Sequence, residues 1–115
     1  MILVDTSVWI EHFRRGNSRL RQLLEDGQAA THAFVIGELS CGSLPHRMQT
    51  LALMANLPKV PVLPDHFVST LIERRKLWGK GIGWTDAHLL AAALEARVPL
   101  WTLDRRLGQI DAMFN

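Results

Sequence analysis

Two short apolar segments that each lead directly into an aspartate constrain the fold of this chain most strongly. Ile2–Val4 is followed by Asp5, and the segment at 100–103 is followed by Asp104. Short apolar segments bounded by helical sequence are typical of buried strands in a parallel sheet. Functional residues of such sheets lie at the carboxyl ends of the strands, so we expect the two aspartates to meet at one edge of one sheet.

Helical sequence separates these strands. The most pronounced helical pattern extends from Thr85 to Arg97; it is rich in alanine and leucine, with apolar residues on one face, and Pro99 ends it. Two more strands are predicted at 29–33 and 59–63, and Pro61 within the second favours an edge position. Five more helices are predicted, at about 6–14, 18–26, 34–41, 45–55 and 65–80. This alternation predicts an α/β fold with a central parallel sheet.

Composition indicates one soluble domain. The 115 residues suffice for a single domain spanning 1–115. No apolar segment approaches the length of about 20 residues that spans a membrane, and the N-terminus is a poor signal peptide. The single cysteine, Cys41, has no partner for an internal disulfide, and we expect it to be a small buried residue. A cytoplasmic location is therefore expected.

Two further carboxylates lie in helical sequence. Glu38 has the apolar neighbours of a buried face in FVIGELSC, and Asp86 opens the long helix in GIGWTDAHLLA. Each acid also has a structural interpretation, since an aspartate can cap a helix and Asp104 could pair with an adjacent arginine. If the fold gathers all four acids, their repulsion must be relieved by protonation or by a divalent cation. Oxygen-only ligands favour Mg²⁺ or Mn²⁺ over zinc.

Four segments together resemble a known family. VDTSVWI, VIGELSCG, GWTDAHLLAAAL and WTLDRRL, in this order and spacing, are similar to PIN-domain ribonucleases, and in particular to VapC-type toxins of type II toxin–antitoxin pairs. The resemblance runs from Ile2 to about Leu107. It implies a three-layer α/β/α fold. Family members often end with a further strand, but so few residues follow Asp111 that the last edge strand is expected to be short or absent.

The resemblance also implies an activity and a set of site residues. The chain would cleave RNA with bound Mg²⁺ or Mn²⁺ as the toxin of a pair, and an antitoxin whose tail covers the site would silence it. It would form a homodimer. The family's acids fall on four positions, its supporting hydroxyls fall on three more, and two arginines after the first acid are candidate RNA contacts. These residues are, in the same order, Asp5, Glu38, Asp86 and Asp104; Thr6, Ser7 and Thr102; and Arg14 and Arg15.

Two other enzyme or signalling classes are excluded by the sequence, and one alternative function stays open. A dehalogenase-type phosphatase needs a second acid at the position of Ser7, and a receiver domain needs an adjacent acidic pair that this chain lacks. The remaining alternative is a non-catalytic PIN-like module that binds RNA or a protein partner. His88 is expected to pack or to face solvent, and Trp84 is a candidate for stacking on a base.

Overall fold

The computed structural model describes residues 1–114; Asn115, the last residue of the predicted domain, lies outside the described residues. Three short parallel strands form the sheet, and seven helices surround it in that part of the chain. The strands are β1 (Ile2–Val4), β2 (Ala29–Ala30) and β3 (Leu100–Trp101). The helices are α1 (Thr6–Arg15), α2 (Ser18–Glu25), α3 (Ala33–Ser40), α4 (Arg47–Ala55), α5 (Asp65–Arg75), α6 (Trp84–Ala96) and α7 (Arg105–Ala112).

The strand order β2-β1-β3 puts the first strand in the centre of the sheet. Leu3 pairs with Ala30 on one side and with Leu100 on the other, and both pairings are parallel. The connection from β1 to β2 and the connection from β2 to β3 therefore run in opposite directions along the sheet. With the usual right-handed crossover, such a reversal places helices on both faces. The predicted α/β fold with a central parallel sheet is confirmed.

The segment predicted as a strand at 59–63 is not one. Only Lys59 forms an isolated parallel bridge, to Thr31, and the backbone N–H of Val60 donates to the carbonyl of Thr31 at 2.8 Å. Pro61 has no N–H to extend the ladder. The segment therefore lies beside β2, at the predicted edge, without forming a regular strand. At the opposite edge, no strand follows α7 within residues 1–114.

Several helix limits differ from the prediction. The helix predicted through Lys80 ends at Arg75, because Lys76 adopts a left-handed conformation with φ 54°. The helix expected to begin at Pro45 begins at Arg47, after His46 with φ 45°. β2 stops at Ala30, because His32 already caps α3 by accepting the N–H of Phe34 on its ring Nδ1 at 3.0 Å.

Helix α6 forms the centre of the molecule. The prediction gave it one apolar face, yet every residue from Ala87 to Ala93 is buried. It packs against α5 and also against β3, so both of its sides are covered. The start of α6, which carries Asp86, is consequently fixed next to the carboxyl end of the sheet. No helix of the described residues is long and apolar enough to cross a bilayer.

Candidate active site

Asp5 is anchored where β1 ends. Its backbone N–H donates to the carbonyl of Trp101 at 2.9 Å, and its side chain is only 5% exposed. Although Asp5 precedes α1 in the N-cap position, its carboxylate makes no capping hydrogen bond. Neither Thr6 nor Ser7 caps the helix, because α1 already begins at Thr6. The carboxylate is therefore held by tertiary contacts.

Two hydroxyl groups hold that carboxylate. The hydroxyls of Ser7 and Thr102 donate to Asp5 Oδ2 at 2.8 and 2.7 Å. Each hydroxyl in turn accepts a backbone N–H, Ser7 from Leu103 at 2.9 Å and Thr102 from Asp104 at 3.0 Å. Because both hydroxyls are oriented by these backbone donors, Asp5 Oδ2 is fixed and Asp5 Oδ1 is left for another partner.

Asp104 caps α7. Its Oδ1 accepts the backbone N–H groups of Arg106 at 2.9 Å and Leu107 at 3.0 Å. The structural interpretation of this acid is therefore correct, and it does not exclude a second role. The residue is exposed, and the cap uses only Oδ1, so Oδ2 is left without a hydrogen bond in the described part of the chain.

Asp86 occupies the third position of α6. Its Oδ2 accepts the backbone N–H of Gly83 at 3.1 Å, the spacing of half a capping box. Since α6 begins at Trp84, Gly83 and not Thr85 occupies its N-cap position. The spacing of Gly83 and Asp86 could have revealed this contact, but our sequence analysis missed Gly83.

The pKa of Asp86 responds to the other three acids, which therefore lie close enough to interact with it. Burial raises the pKa of the Asp86 carboxyl; the Gly83 N–H partly offsets this, and the negative charges of the other three acids raise it further. Those acids are Asp5, Asp104 and Glu38. Residues that are up to 99 positions apart in the chain therefore act on one half-buried carboxyl. We call these four residues the acidic cluster.

Glu38 lies at the rim of this cluster rather than on a buried face. The residue is exposed, so our prediction of burial was wrong. Val35 and Leu39 form the buried side of α3, and Glu38 is displaced from the centre of that side by about 80° at 100° per residue. Its Oε1 accepts the hydroxyl of Thr6 at 2.6 Å, which directs it toward the start of α1.

The two candidate RNA contacts are placed differently. Arg14 and Glu38 both line an open groove of about 400 Å³ between α1 and the segment after α3. Arg15 is exposed but lies outside that groove. The structure therefore brings only Arg14 to the rim of the acidic cluster.

The donor set suits a hard divalent cation, although the side chains are spread out. The four ligand candidates are all carboxylates, the oxygen donors that Mg²⁺ and Mn²⁺ prefer. Within residues 1–114, the hydrogen bonds use one oxygen of each and leave the other oxygen of each without a hydrogen bond. In the same part of the chain, no three Asp, Glu, His or Cys side chains are arranged to hold one metal as they stand. The carboxylate oxygens are therefore suitable ligands for Mg²⁺ or Mn²⁺, whereas the spacing of the four side chains does not let three of them hold one ion as they stand.

Other singled-out residues have structural surroundings. His88 is fully buried, as expected for packing; its Nε2 lies 3.2 Å from Asp65 Oδ1 and its ring contacts Phe34. Trp84 is 44% exposed and packs edge-on against His88. Cys41 is exposed, so the expectation of a buried cysteine was wrong.

Comparisons with known proteins agree with this architecture. The family model described as PIN domain matches residues 2–113. Two curated relatives, each named Ribonuclease VapC32 and from Mycobacterium tuberculosis strains CDC 1551 / Oshkosh and ATCC 25618 / H37Rv, are each 51% identical over 108 residues. Those alignments cover 93% of this chain and 87% of the relative. The chain therefore belongs to the PIN-domain family and, within that family, is of the VapC type.

Proposed function

We propose that this protein is a metal-dependent endoribonuclease that hydrolyses RNA phosphodiesters at the acidic cluster. The observation that carries the proposal is the effect of three distant carboxylates on the half-buried carboxyl of Asp86. Repulsion between neighbouring carboxylates costs free energy unless a bound cation or protonation relieves it. The relatives' printed name, ribonuclease, supports RNA as the substrate.

The four acids divide the work by their surroundings. Asp5 and Asp86 would be the direct ligands of Mg²⁺ or Mn²⁺, because both are at least half-buried and each retains an oxygen without a hydrogen bond. Glu38 and Asp104, which are exposed, would bind a second ion or position the attacking water. A divalent cation bound here would lower the pKa of a water and neutralise charge on the phosphodiester.

The remaining side chains support binding and orientation. Ser7 and Thr102 hold the Asp5 carboxylate in place by donating two hydrogen bonds to its Oδ2. Thr6 does the same for Glu38 with one hydrogen bond. Arg14, in the groove that Glu38 also lines, would contact an RNA phosphate, and Arg15 would add to the positive field outside the groove.

RNA cleavage with purified protein tests the proposal. We expect cleavage with Mg²⁺, none with EDTA, and none with Asp5→Asn, which removes the charge of the buried acid and keeps its size. Glu25→Gln, an exposed position on α2, is the matched control and should cleave like the wild type. Equal cleavage with Mg²⁺, with EDTA and by Asp5→Asn would contradict the metal mechanism.

We further propose that the protein acts in the cytoplasm as the toxin of a toxin–antitoxin pair. It would form a homodimer, and the tail of a cognate protein antitoxin would cover the acidic cluster. Expression of the chain alone should then arrest growth, and Asp86→Asn should relieve the arrest. Normal growth at a high level of the wild-type protein, without any partner, would rule out the toxin role.

A second candidate is a PIN-like module that binds RNA or a protein partner without cleaving it. It is favoured by the spread of the carboxylates, since no three described side chains are arranged around one metal. The same assay separates the two functions. Binding of RNA by the wild type without any cleavage, with either Mg²⁺ or Mn²⁺, would support the module.

A further inference from the structure

One arginine lies pressed against a glycine beside the acidic cluster. Arg106 is in the first turn of α7, and Gly81 is in the loop before α6. A Cβ added to Gly81 would stand 2.4 Å from Arg106 Cδ, 2.7 Å from its Nη1 and 2.9 Å from its Nε. Gly81 also has φ +84°, a conformation that favours glycine. The arginine side chain therefore occupies the space that any larger residue at this position would need.

This contact joins the two segments that carry Asp86 and Asp104. The backbone N–H of Arg106 donates to Asp104 Oδ1 at 2.9 Å. Gly83, two residues after Gly81, donates to Asp86 Oδ2 at 3.1 Å. The side chain of Arg106 thus passes from the cap of one acid to the loop that anchors the other, along one border of the cluster.

The guanidinium of Arg106 has no partner among residues 1–114. The only ion pair in that part of the chain joins His88 and Asp65, and no hydrogen bond uses the arginine side chain. The residue is exposed, and its Nη1 and Nε lie next to Gly81. The planar donors of a guanidinium match a phosphate.

The guanidinium of Arg106 lies beside the negative charge of the acidic cluster. An RNA backbone that approaches four carboxylates meets repulsion, which bound metal would relieve only at the ion itself. A fixed positive group at the border would attract the phosphate next to the reacting one. Arg105, the adjacent residue, is exposed too, but none of its atoms is among the three nearest to the Cβ position of Gly81.

We propose that Arg106 binds a phosphate of the RNA backbone at the border of the acidic cluster, and that Gly81 positions its side chain. This inference rests on the proposed function, because it requires RNA to enter the cleft. It assigns different roles to two neighbouring arginines that the sequence alone does not distinguish.

Binding of a fluorescein-labelled single-stranded RNA of mixed sequence, measured by anisotropy in EDTA across a salt series, tests the proposal. Arg106→Met keeps the aliphatic part of the side chain next to Gly81 and removes the positive charge. Arg105→Met is the control, because it removes a positive charge at the adjacent residue. We expect Arg106→Met to weaken binding about tenfold at low salt and to reduce the salt slope by about 0.7, the share of one phosphate contact on a single strand. Arg105→Met should stay within about twofold of the wild type and keep the slope, since it loses no specific contact.

A second pair of variants tests the position of Arg106 without replacing it: one should displace its side chain, and the other is the control. Gly81→Ala places a methyl group where Arg106 lies, whereas Gly79→Ala adds the same group at φ +69° with no atom within 4 Å. Both variants carry backbone strain, so both should lower the melting temperature. Only Gly81→Ala should also weaken RNA binding, measured at a temperature where both variants are folded.

The outcomes separate this inference from the proposed function. Equal salt slopes for Arg106→Met and the wild type, with the wild type binding and cleaving RNA, would overturn the role of Arg106 alone. Equal losses in Arg105→Met and Arg106→Met would do the same, because they would show only a general charge effect. If the wild type neither binds nor cleaves RNA, both proposals fail.

Discussion

Asp5 is the one acidic residue that is buried in the described part of the chain, and its surroundings explain how it can be. A buried carboxylate is costly unless hydrogen bonds satisfy it. Ser7 and Thr102 supply two such bonds to a single oxygen. The stability of the folded protein should therefore depend on these hydroxyls, and not only on the apolar core around them.

Replacing Thr102 with valine tests this dependence. Thr102→Val keeps the shape of the side chain and removes both the donor to Asp5 and the acceptor for the N–H of Asp104. We expect the free energy of unfolding to fall by about 1–3 kcal/mol, the cost of leaving a buried group unsatisfied. Urea denaturation at neutral pH measures it.

Thr70→Val is the matched control. Thr70 is exposed on α5, and its hydroxyl donates only to the carbonyl of His66 within the same helix. Its loss should change the free energy of unfolding by no more than about 0.5 kcal/mol, as for most surface substitutions. Equal losses in the two valine variants would show that the contacts of Asp5 add nothing special.

His32 should make stability depend on pH. Burial and, to a smaller extent, the nearby His88 together lower the pKa of His32 from 6.5 to about 4. Because the folded pKa lies below the unfolded one, the contribution of His32 is complete above pH 6.5 and is lost as pH falls through about 4. The loss could reach about 3 kcal/mol, at 1.36 kcal/mol for each pKa unit.

The variant His32→Asn isolates this contribution. Asparagine is a good N-cap for α3 and does not titrate. The difference in unfolding free energy between wild type and variant should shrink as pH is lowered from 7 to 4.5, measured by urea denaturation. A difference that stays constant across this pH range would contradict the role of His32.

Sequence position predicted the acids better than it predicted their exposure. Asp5 and Asp104 were identified because they follow strands, and the structure places both at that edge of the sheet. Glu38 and Cys41 were expected to be buried and are exposed. Apolar neighbours in sequence do not specify how far around a helix the buried side extends; only the packed partners do.

At the scale of elements, α7 depends on the same acid that the proposed chemistry uses. Asp104→Ala removes the cap and should lower the unfolding free energy by about 1 kcal/mol. Asp104→Asn keeps an oxygen for the N–H groups of Arg106 and Leu107 and should change stability by only a few tenths of a kcal/mol. Both variants should lose RNA cleavage, because both lose the charge. Retained cleavage in Asp104→Asn, measured beside its melting temperature, would limit Asp104 to capping.

The order of elements was predictable, whereas several limits were not. Helix periodicity and the residues Gly and Pro located six of the seven helices; α7 (Arg105–Ala112) was not predicted. The start of α4 and the end of α5 were missed because His46 and Lys76 adopt left-handed conformations that glycine would have signalled. The strands at 29–33 and 59–63 were overestimated because neither ladder continues: the first turns into α3, and the second contains Pro61.

For the whole molecule, the strand order explains how residues far apart in sequence meet. β1 is central, so its carboxyl end borders β3, and Asp5 and Asp104 flank the point where the chain reverses direction in the sheet. Alternating strands and helices predict such an edge without saying which strand is central. The approach of Glu38 and Asp86, which lie on helices, depends on how α3 and α6 pack and could be expected only from the family resemblance.

If the acidic cluster binds a cation, the ion should stabilise the entire fold. A ligand that binds only the folded state adds about 2.7 kcal/mol at one hundred times its dissociation constant. We therefore expect Mg²⁺ or Mn²⁺ to raise the melting temperature of the wild type in a thermal denaturation series, and EDTA to reverse the rise. Asp86→Asn should abolish the rise, because it removes one of the two proposed direct ligands.

The same variant predicts a second, opposite change when no metal is added. The raised pKa of Asp86 means that its ionisation opposes folding, so the cost is absent in acid and grows as pH rises through the folded pKa. In EDTA at neutral pH, Asp86→Asn should melt no lower than the wild type, because it removes the ionisation that opposes folding. Sodium chloride at matched ionic strength controls for screening. An equal rise with NaCl and MgCl₂ would show that the cluster responds to ionic strength and holds no specific ion.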